Sequence, residues 1–252
     1  MTATNDRYAR HRPLLSDQGM RRLRSARVLL VGAGGLGCNV AMLLVRLGIA
    51  TLIIRDPGVI DAPDLNRQVL YTPADLGRPK VEVARQRLHE INPDVELEVR
   101  QERITGSSRL PHADICFDCL DSFGARAALE AALQNAAEGS RTAGREAGDQ
   151  NAAAAGGLPL IHGGAEGWFG QVSTLAPGGG GYRAVFGPGF DERAHQEAEG
   201  KPIMPHVVAL VAAAQVAEFV RWCDAGTGAM LVGRILVIDG MHQQHEIITL
   251  QS

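Results

Sequence analysis

The sequence predicts an α/β fold, and three observations carry that prediction. The apolar, β-branched run RVLLV at 27–31 ends in the glycine-rich turn GAGGLG and passes into CNVAMLLVRLG at helical period. A second apolar run, TLIIRD at 51–56, ends in an acid. Further apolar runs alternate with helical stretches downstream, the pattern of strand–helix–strand crossovers. Strand, glycine turn, helix and acid-terminated strand form a mononucleotide-binding βαβ unit, so a Rossmann-like doubly wound sheet is expected, parallel in the first half and mixed or antiparallel in the second.

The elements follow in order. SDQGMRRLRSA reads as a short helix with Ser16 as N-cap, closing an N-terminal helical arm over 1–26. Residues 57–77 are irregular, punctuated by Pro57, Pro63 and Pro73. KVEVARQRLHEI, 80–91, is an amphipathic helix closed by Asn92-Pro93. VELEVR alternates like a strand, ADICFDCLD is an apolar strand ending in acids, and SFGARAALEAALQNAA is a helix by period and propensity. These complete a nucleotide-binding half over 27–137. EGSRTAGREAGDQNAAAAGG, 138–157, loses all apolar periodicity and reads as a flexible insertion. In the remaining half, 158–252, LPLIHGGAEGWFGQVSTLAP and YRAVFGP look like strands. PGFDERAHQEAEGKP reads as a polar loop, MPHVVALVAAAQVAEFVRWCD as a long, largely buried helix, and GRILVIDG with HEIITLQS as a hairpin. One domain spans 1–252.

A net charge of -3 gives no electrostatic footprint for general nucleic-acid binding. The arginines near the start, from Arg7 to Arg27, read as a solvated helix face. Four cysteines are too few for a disulfide framework and fit a reducing compartment. MTATNDRYARHRP has no apolar signal core, and no run approaches the ~18 apolar residues of a membrane span. A cytoplasmic protein without membrane partners is expected.

Gly32, Gly34 and Gly37 make G-x-G-x-x-G in the context that gives the motif meaning, after a strand and opening a helix. Backbone there can approach a phosphate, and the helix N-terminus adds amide donors. Asp56 stands where a carboxylate accepts from ribose hydroxyls. The turn and the acid imply a nucleotide without choosing between NAD and ATP. Arg67 and Lys80 follow, two cations placed for the β and γ phosphates of ATP. Asp121, in DCLDS at the carboxyl edge of a later strand, suits Mg²⁺, which takes one or two carboxylates plus phosphate oxygens.

RYARH, VLLVGAGGLGCNVAMLLVRLG, DLNRQ, GRPKVEVARQRLHEINP, DCLDS with Arg126 after it, and GQVSTL together resemble the ubiquitin-activating-enzyme-like superfamily in its compact ThiF/MoeB/HesA branch. The resemblance implies that Gly32, Gly34, Gly35 and Gly37 contact ATP, that Asp56 holds its ribose, and that Asn66, Arg67 and Lys80 bind it, the two cations on the phosphates. It implies Asp121 as the Mg²⁺ ligand and Arg10 as an arginine reaching across a homodimer into the partner's site. The implied reaction is ATP-dependent adenylation of the C-terminal carboxylate of a small ubiquitin-like sulfur-carrier protein ending in Gly-Gly, with release of pyrophosphate.

The chain departs from that branch in four places. Gly181 and Ala184 stand where many members have the first zinc-binding cysteine pair, and HEIITLQS offers no second pair, so no zinc is expected. Cys116 and Cys119, the one C-x-x-C, lie in an apolar strand. FDERAHQEAEGKPIMP carries no cysteine for thioester transfer. Asp64 and Ser122 replace asparagines usual in the family. An extra carboxylate near polyphosphate repels it unless it shares the metal or turns away. A weak or inactive relative that binds a ubiquitin-like partner, an enzyme adenylating a peptide or tRNA-linked carboxylate, and an NAD-dependent oxidoreductase are the alternatives.

Overall fold

The computed structural model describes residues 6–146, 157–195 and 202–250. Its strands are β1 (Arg27–Val31), β2 (Thr51–Arg55), β3 (Glu96–Arg100), β4 (Ile115–Asp118), β5 (Leu160–Glu166), β6 (Phe169–Leu175), β7 (Arg234–Asp239) and β8 (Gln244–Thr249). Its helices are α1 (Asp17–Ser25), α2 (Gly35–Leu47), α3 (Lys80–Ile91), α4 (Phe123–Glu146), α5 (Gly181–Phe186), α6 (Phe190–Ala194) and α7 (Pro205–Ala225).

The strands form one eight-stranded sheet in the order β3-β2-β1-β4-β5-β6-β7-β8. Pairing is parallel from β3 through β5 and antiparallel from β5 through β8. The expected change of character at mid-chain is therefore present. β1 lies between β2 and β4, so the strand order reverses at its carboxyl end, where α/β sheets bind ligands.

Alternation along β1 divides the core. Val28 and Leu30 face one layer with Leu44, Leu52, Phe117, Val211 and Phe219, while Leu29 and Val31 face the other with Ile53, Cys116, Leu129 and Phe190. Each fully buried Leu, Ile or Phe contributes about 1.5–3 kcal/mol, so both layers stiffen the edge that carries the turn. α7 is long and apolar enough to cross a membrane by composition. Its Val207, Val211, Gln215 and Phe219 are buried against the sheet and α2, which makes it a core helix.

Caps form as their residues require. Ser16 Oγ accepts from the Gly19 amide at 3.0 Å and starts α1. Gly48, at φ 81°, closes α2.

Three expectations are corrected. YRAVFGP is no strand: Tyr182 to Phe186 form α5, and Tyr182, Phe186 and Phe190 stack with centroids 5.3–6.0 Å apart. Tyr182 and Phe186, i and i+4 on α5, share a helix face, and Phe190 of α6 stacks on both rings. The polar loop from 188 begins as a helix, α6, anchored by buried Phe190, while 196–201 lie outside the described residues. The expected insertion at 138–157 is helical at its start, because α4 continues to Glu146. Residues 147–156 lie outside the described residues.

Candidate active site

A cleft of about 1020 Å³ opens at the carboxyl ends of β1 and β4. Gly32, Gly34, Gly35, Asp56, Arg67, Lys80 and Asp121 all line it. Segments separated by tens of residues thus converge where the strand order reverses.

Two glycines make the turn possible. Gly32 has φ +101°, and a Cβ there would meet the Cys119 carbonyl oxygen at 2.5 Å. A Cβ on Gly37 would fall onto the Gly32 carbonyl. Gly37 does not line the cleft; it lets α2 press against the end of β1. Gly34 and Gly35 open α2 with their backbone toward the cleft.

Asp56 is held by backbone amides. Ala33 N–H donates to Oδ2 and Gly58 N–H to Oδ1, both at 2.7 Å. These bonds fix the carboxylate beside the glycine turn. Lys80 begins α3, and its amide donates to the Gly58 carbonyl at 3.0 Å, which ties the helix start to the same loop. Tyr71 adds a strap, its hydroxyl donating to the Ala33 carbonyl at 2.9 Å and the Lys80 carbonyl at 3.2 Å.

Lys80 and Arg67 converge on a third residue, Asp64. Lys80 Nζ lies 2.9 Å from Asp64 Oδ2, and Arg67 Nη2 lies 3.6 Å from Oδ1. The extra carboxylate does not turn away; it sits between the two cations. Arg67 also donates to the Pro63 carbonyl at 2.9 Å and to Asn66 Oδ1 at 3.0 Å. Asn66 is exposed and outside the cleft lining, so its side chain positions Arg67. Asp121 is exposed, and no hydrogen bond or ion pair engages it among the described residues. Ser122 Oγ accepts from Ala125 N–H at 3.3 Å, so Ser122, and not Asp121, caps α4. Arg10 is exposed on the N-terminal arm and does not line this chain's cleft.

Beneath the cleft lies a polar network that sequence reasoning missed. Asp118, at the end of β4, is fully buried. It binds His162 Nδ1 at 2.6 Å, the Tyr182 hydroxyl at 2.7 Å and Arg126 Nε at 3.1 Å. Burial pushes the Asp118 carboxyl up, but the Arg126 guanidinium and the His162 and Tyr182 hydrogen bonds outweigh it, bringing the group below the usual carboxylate range. Burial holds His162 below its ordinary value against the pull of Asp118, so it is neutral near pH 7. A neutral His162 that donates from Nδ1 to Asp118 accepts at Nε2, which faces Gln171 Nε2 at 3.1 Å. Gln171 and Arg126 line the cleft, so the network supports its floor. The available signal was a lone carboxylate and a lone histidine inside apolar runs, ICFD and LPLIH, since buried polar groups require partners. Arg55 was missed too: it is nearly buried, lines the cleft, and lies with Nε 3.2 Å from Glu102 Oε1.

All four cysteines are free and buried, and burial pushes every thiol up, Cys38 and Cys223 to about 12. Among the described residues no three His, Cys, Asp or Glu side chains are grouped to hold a metal ion.

Fold and cleft define a doubly wound α/β domain with an acid beside its glycine turn and a cationic pair beyond it. Residues 8–252 match the model of the ThiF family, and the chain belongs to that family. It is 34% identical over 177 residues to the sulfur carrier protein ThiS adenylyltransferase of Escherichia coli K12, a match spanning 68% of this chain and 62% of that protein. It is 29% identical over 248 residues to the SAMP-activating enzyme E1 of Haloferax volcanii, spanning 96% and 84% of the two chains. The crystal structure of E. coli MccB with ATP shares the fold at TM-score 0.70 and 19% identity, covering 98% of this chain and 72% of that one.

Proposed function

We propose that the chain is an ATP-dependent adenylyltransferase that activates the C-terminal carboxylate of a small ubiquitin-like or sulfur-carrier protein. The carrier carboxylate oxygen bonds to the α-phosphorus, the bond from that phosphorus to the bridging oxygen breaks, and pyrophosphate leaves. The observation that carries this reading is the convergence of Asp56, Arg67 and Lys80 on one cleft in a ThiF-family fold. One relative is by name an adenylyltransferase of the sulfur carrier protein ThiS, which supports a carrier of that class as the substrate.

Each residue has a role in this reading. The amides of the glycine turn and the Asp56 carboxylate hold the nucleoside end, and Lys80 with Arg67 draws charge off the phosphates as pyrophosphate departs. No nucleophilic side chain is needed, because positioning and charge stabilisation suffice. Mg²⁺ would supply further charge neutralisation on the phosphate oxygens. Asp121 fits it, an exposed, unengaged carboxylate on the cleft wall of the hard-oxygen type that this ion prefers. Arg10, outside its own chain's cleft, belongs in this reading to a homodimer in which it enters the partner's site. Free, buried thiols accord with a cytoplasmic location.

One observation favours the alternative of a binding-only relative: Asp64 already occupies both phosphate-seeking cations. The test separates the two. Pyrophosphate release from Mg·ATP, measured with and without carrier proteins ending in Gly-Gly, should require both a carrier and Lys80. Carrier binding without pyrophosphate would replace the enzyme reading with the binding one.

A further inference from the structure

Asp64 sits between Lys80 and Arg67, the two cations read above as phosphate ligands. Both its oxygens are taken: Oδ1 accepts from Gln68 Nε2 at 2.5 Å and faces Arg67, and Oδ2 accepts from Asp61 N–H at 3.2 Å and pairs with Lys80 at 2.9 Å. Lys80 and Asp64 are each only 14% exposed, so little water screens them from each other. The backbone under Asp64 is fixed as well. It ends the 3₁₀ turn Ala62–Asp64, and its carbonyl accepts from Arg67 N–H at 3.2 Å and Gln68 N–H at 3.0 Å. The carboxylate can rotate off the cations, but its charge cannot leave the site. Asp56, the neighbouring acid, is engaged by two backbone amides and pairs with neither cation.

We propose that Asp64 is a specificity residue of the phosphate site, a built-in counter-anion that a polyphosphate must displace and then lie beside. This rests on the reading of Lys80 and Arg67 as phosphate ligands. Displacement alone weakens all polyphosphates. Lying beside a retained carboxylate adds repulsion that grows with the charge of the ligand. A metal-loaded triphosphate carries two fewer negative charges than the free one and meets less of it. Asp64 therefore makes the site discriminate for the metal-bound nucleotide through the protein's own charge. It also keeps Lys80 and Arg67 drawn together in the empty site, so the cations are assembled before the phosphates arrive.

Calorimetric titration of the full chain with ATP, once with Mg²⁺ and once with a chelator, tests this in the wild type, Asp64→Asn and Lys80→Ala. Asp64→Asn should tighten metal-free ATP by at least about tenfold and Mg·ATP by clearly less, so that the ratio of the two dissociation constants collapses. Asp64→Ser, which removes the charge with a smaller side chain, should reproduce the collapse if the asparagine variant does not fold. Inorganic tripolyphosphate, which has no base or ribose, should follow metal-free ATP. An unchanged ratio in both Asp64 variants, with Lys80→Ala still abolishing binding, overturns the proposal while leaving the phosphate site standing. Weaker Mg·ATP with unaltered free ATP overturns it in favour of a metal-ligand role. Full ATP binding in Lys80→Ala removes the phosphate site itself, and the proposal with it.

Discussion

Two carboxylates in this molecule are each surrounded by cations or hydrogen-bond donors, and they are built to opposite ends. Asp118 is sealed beneath the cleft with Arg126, His162 and Tyr182, and Arg126 is further tied to the Leu120 and Gly163 carbonyls. Asp64 stands in the cleft wall, and Lys80 and Arg67 pair with it within reach of any ligand. The first arrangement costs desolvation and returns a rigid floor. In the proposed reading the second is exchangeable, because a phosphate would take over the same donors. Ion pairing is common to both; burial decides which one is architecture and which one is chemistry.

The largest effect should come from breaking the sealed cluster. Asp118→Ala leaves Arg126 buried without its counter-charge and should lower unfolding stability by about 3–5 kcal/mol, read from urea or thermal unfolding. A loss below about 1 kcal/mol would mean that the cluster is not structural. Lys80→Ala should lower carrier-dependent pyrophosphate release by at least about 10²–10³-fold with an unfolding midpoint close to wild type, because both ATP binding and the charge developing on the departing pyrophosphate depend on it. A variant that instead unfolds would erase the distinction between the clusters.

Acid should reveal the same distinction with a smaller effect. Asp118 is held below the ordinary carboxylate value of about 4, so its contribution is present above that pH and lost as pH falls toward the folded value. His162 is held below its ordinary value of about 6.5, so the unfolded chain takes up its proton first and stability falls below that pH. Both contributions have the same sign. The unfolding temperature should decline as pH falls from 7 toward about 2, the upper part of the slope from His162 and the part below about pH 4 from Asp118, and His162→Gln should flatten the upper part. Smallest of all should be the stability change in Asp64→Asn, about 1 kcal/mol or less, because an amide oxygen can still accept from Gln68 and Arg67 keeps its bonds to the Pro63 carbonyl and Asn66. An effect matching Asp118→Ala would place Asp64 among the structural groups.

What was legible in the sequence follows the same division. The βαβ start, the C-terminal hairpin and α7 were readable, since their apolar periods are strong and local. Asp56, Arg67, Lys80 and Asp121 were readable as a set through the resemblance to the ThiF/MoeB/HesA branch, and they do share one cleft. The pairing of Asp64 with both cations was not, because it depends on how the proline-rich loop folds back over 3₁₀ turns. Asp118, His162 and Tyr182 were invisible for a related reason: partners 44 and 64 residues away meet only once β4, β5 and α5 are packed. Tyr182 also misled, since YRAVF has strand-like composition, and its helical form is imposed by tertiary contacts such as the Glu130 bond to its amide at 2.9 Å.

The four buried thiols have a practical consequence. Cys38 lies on α2, Cys116 in β4, Cys119 just beyond it and Cys223 near the end of α7. Only a thiolate attacks an alkylating reagent, and burial keeps each of these protonated and covered. Modification of any of them must wait for its surroundings to open. The native chain therefore carries its own stopwatches, and the order in which the four sites become labelled would report which layer of the sheet breathes first, with no engineered probe.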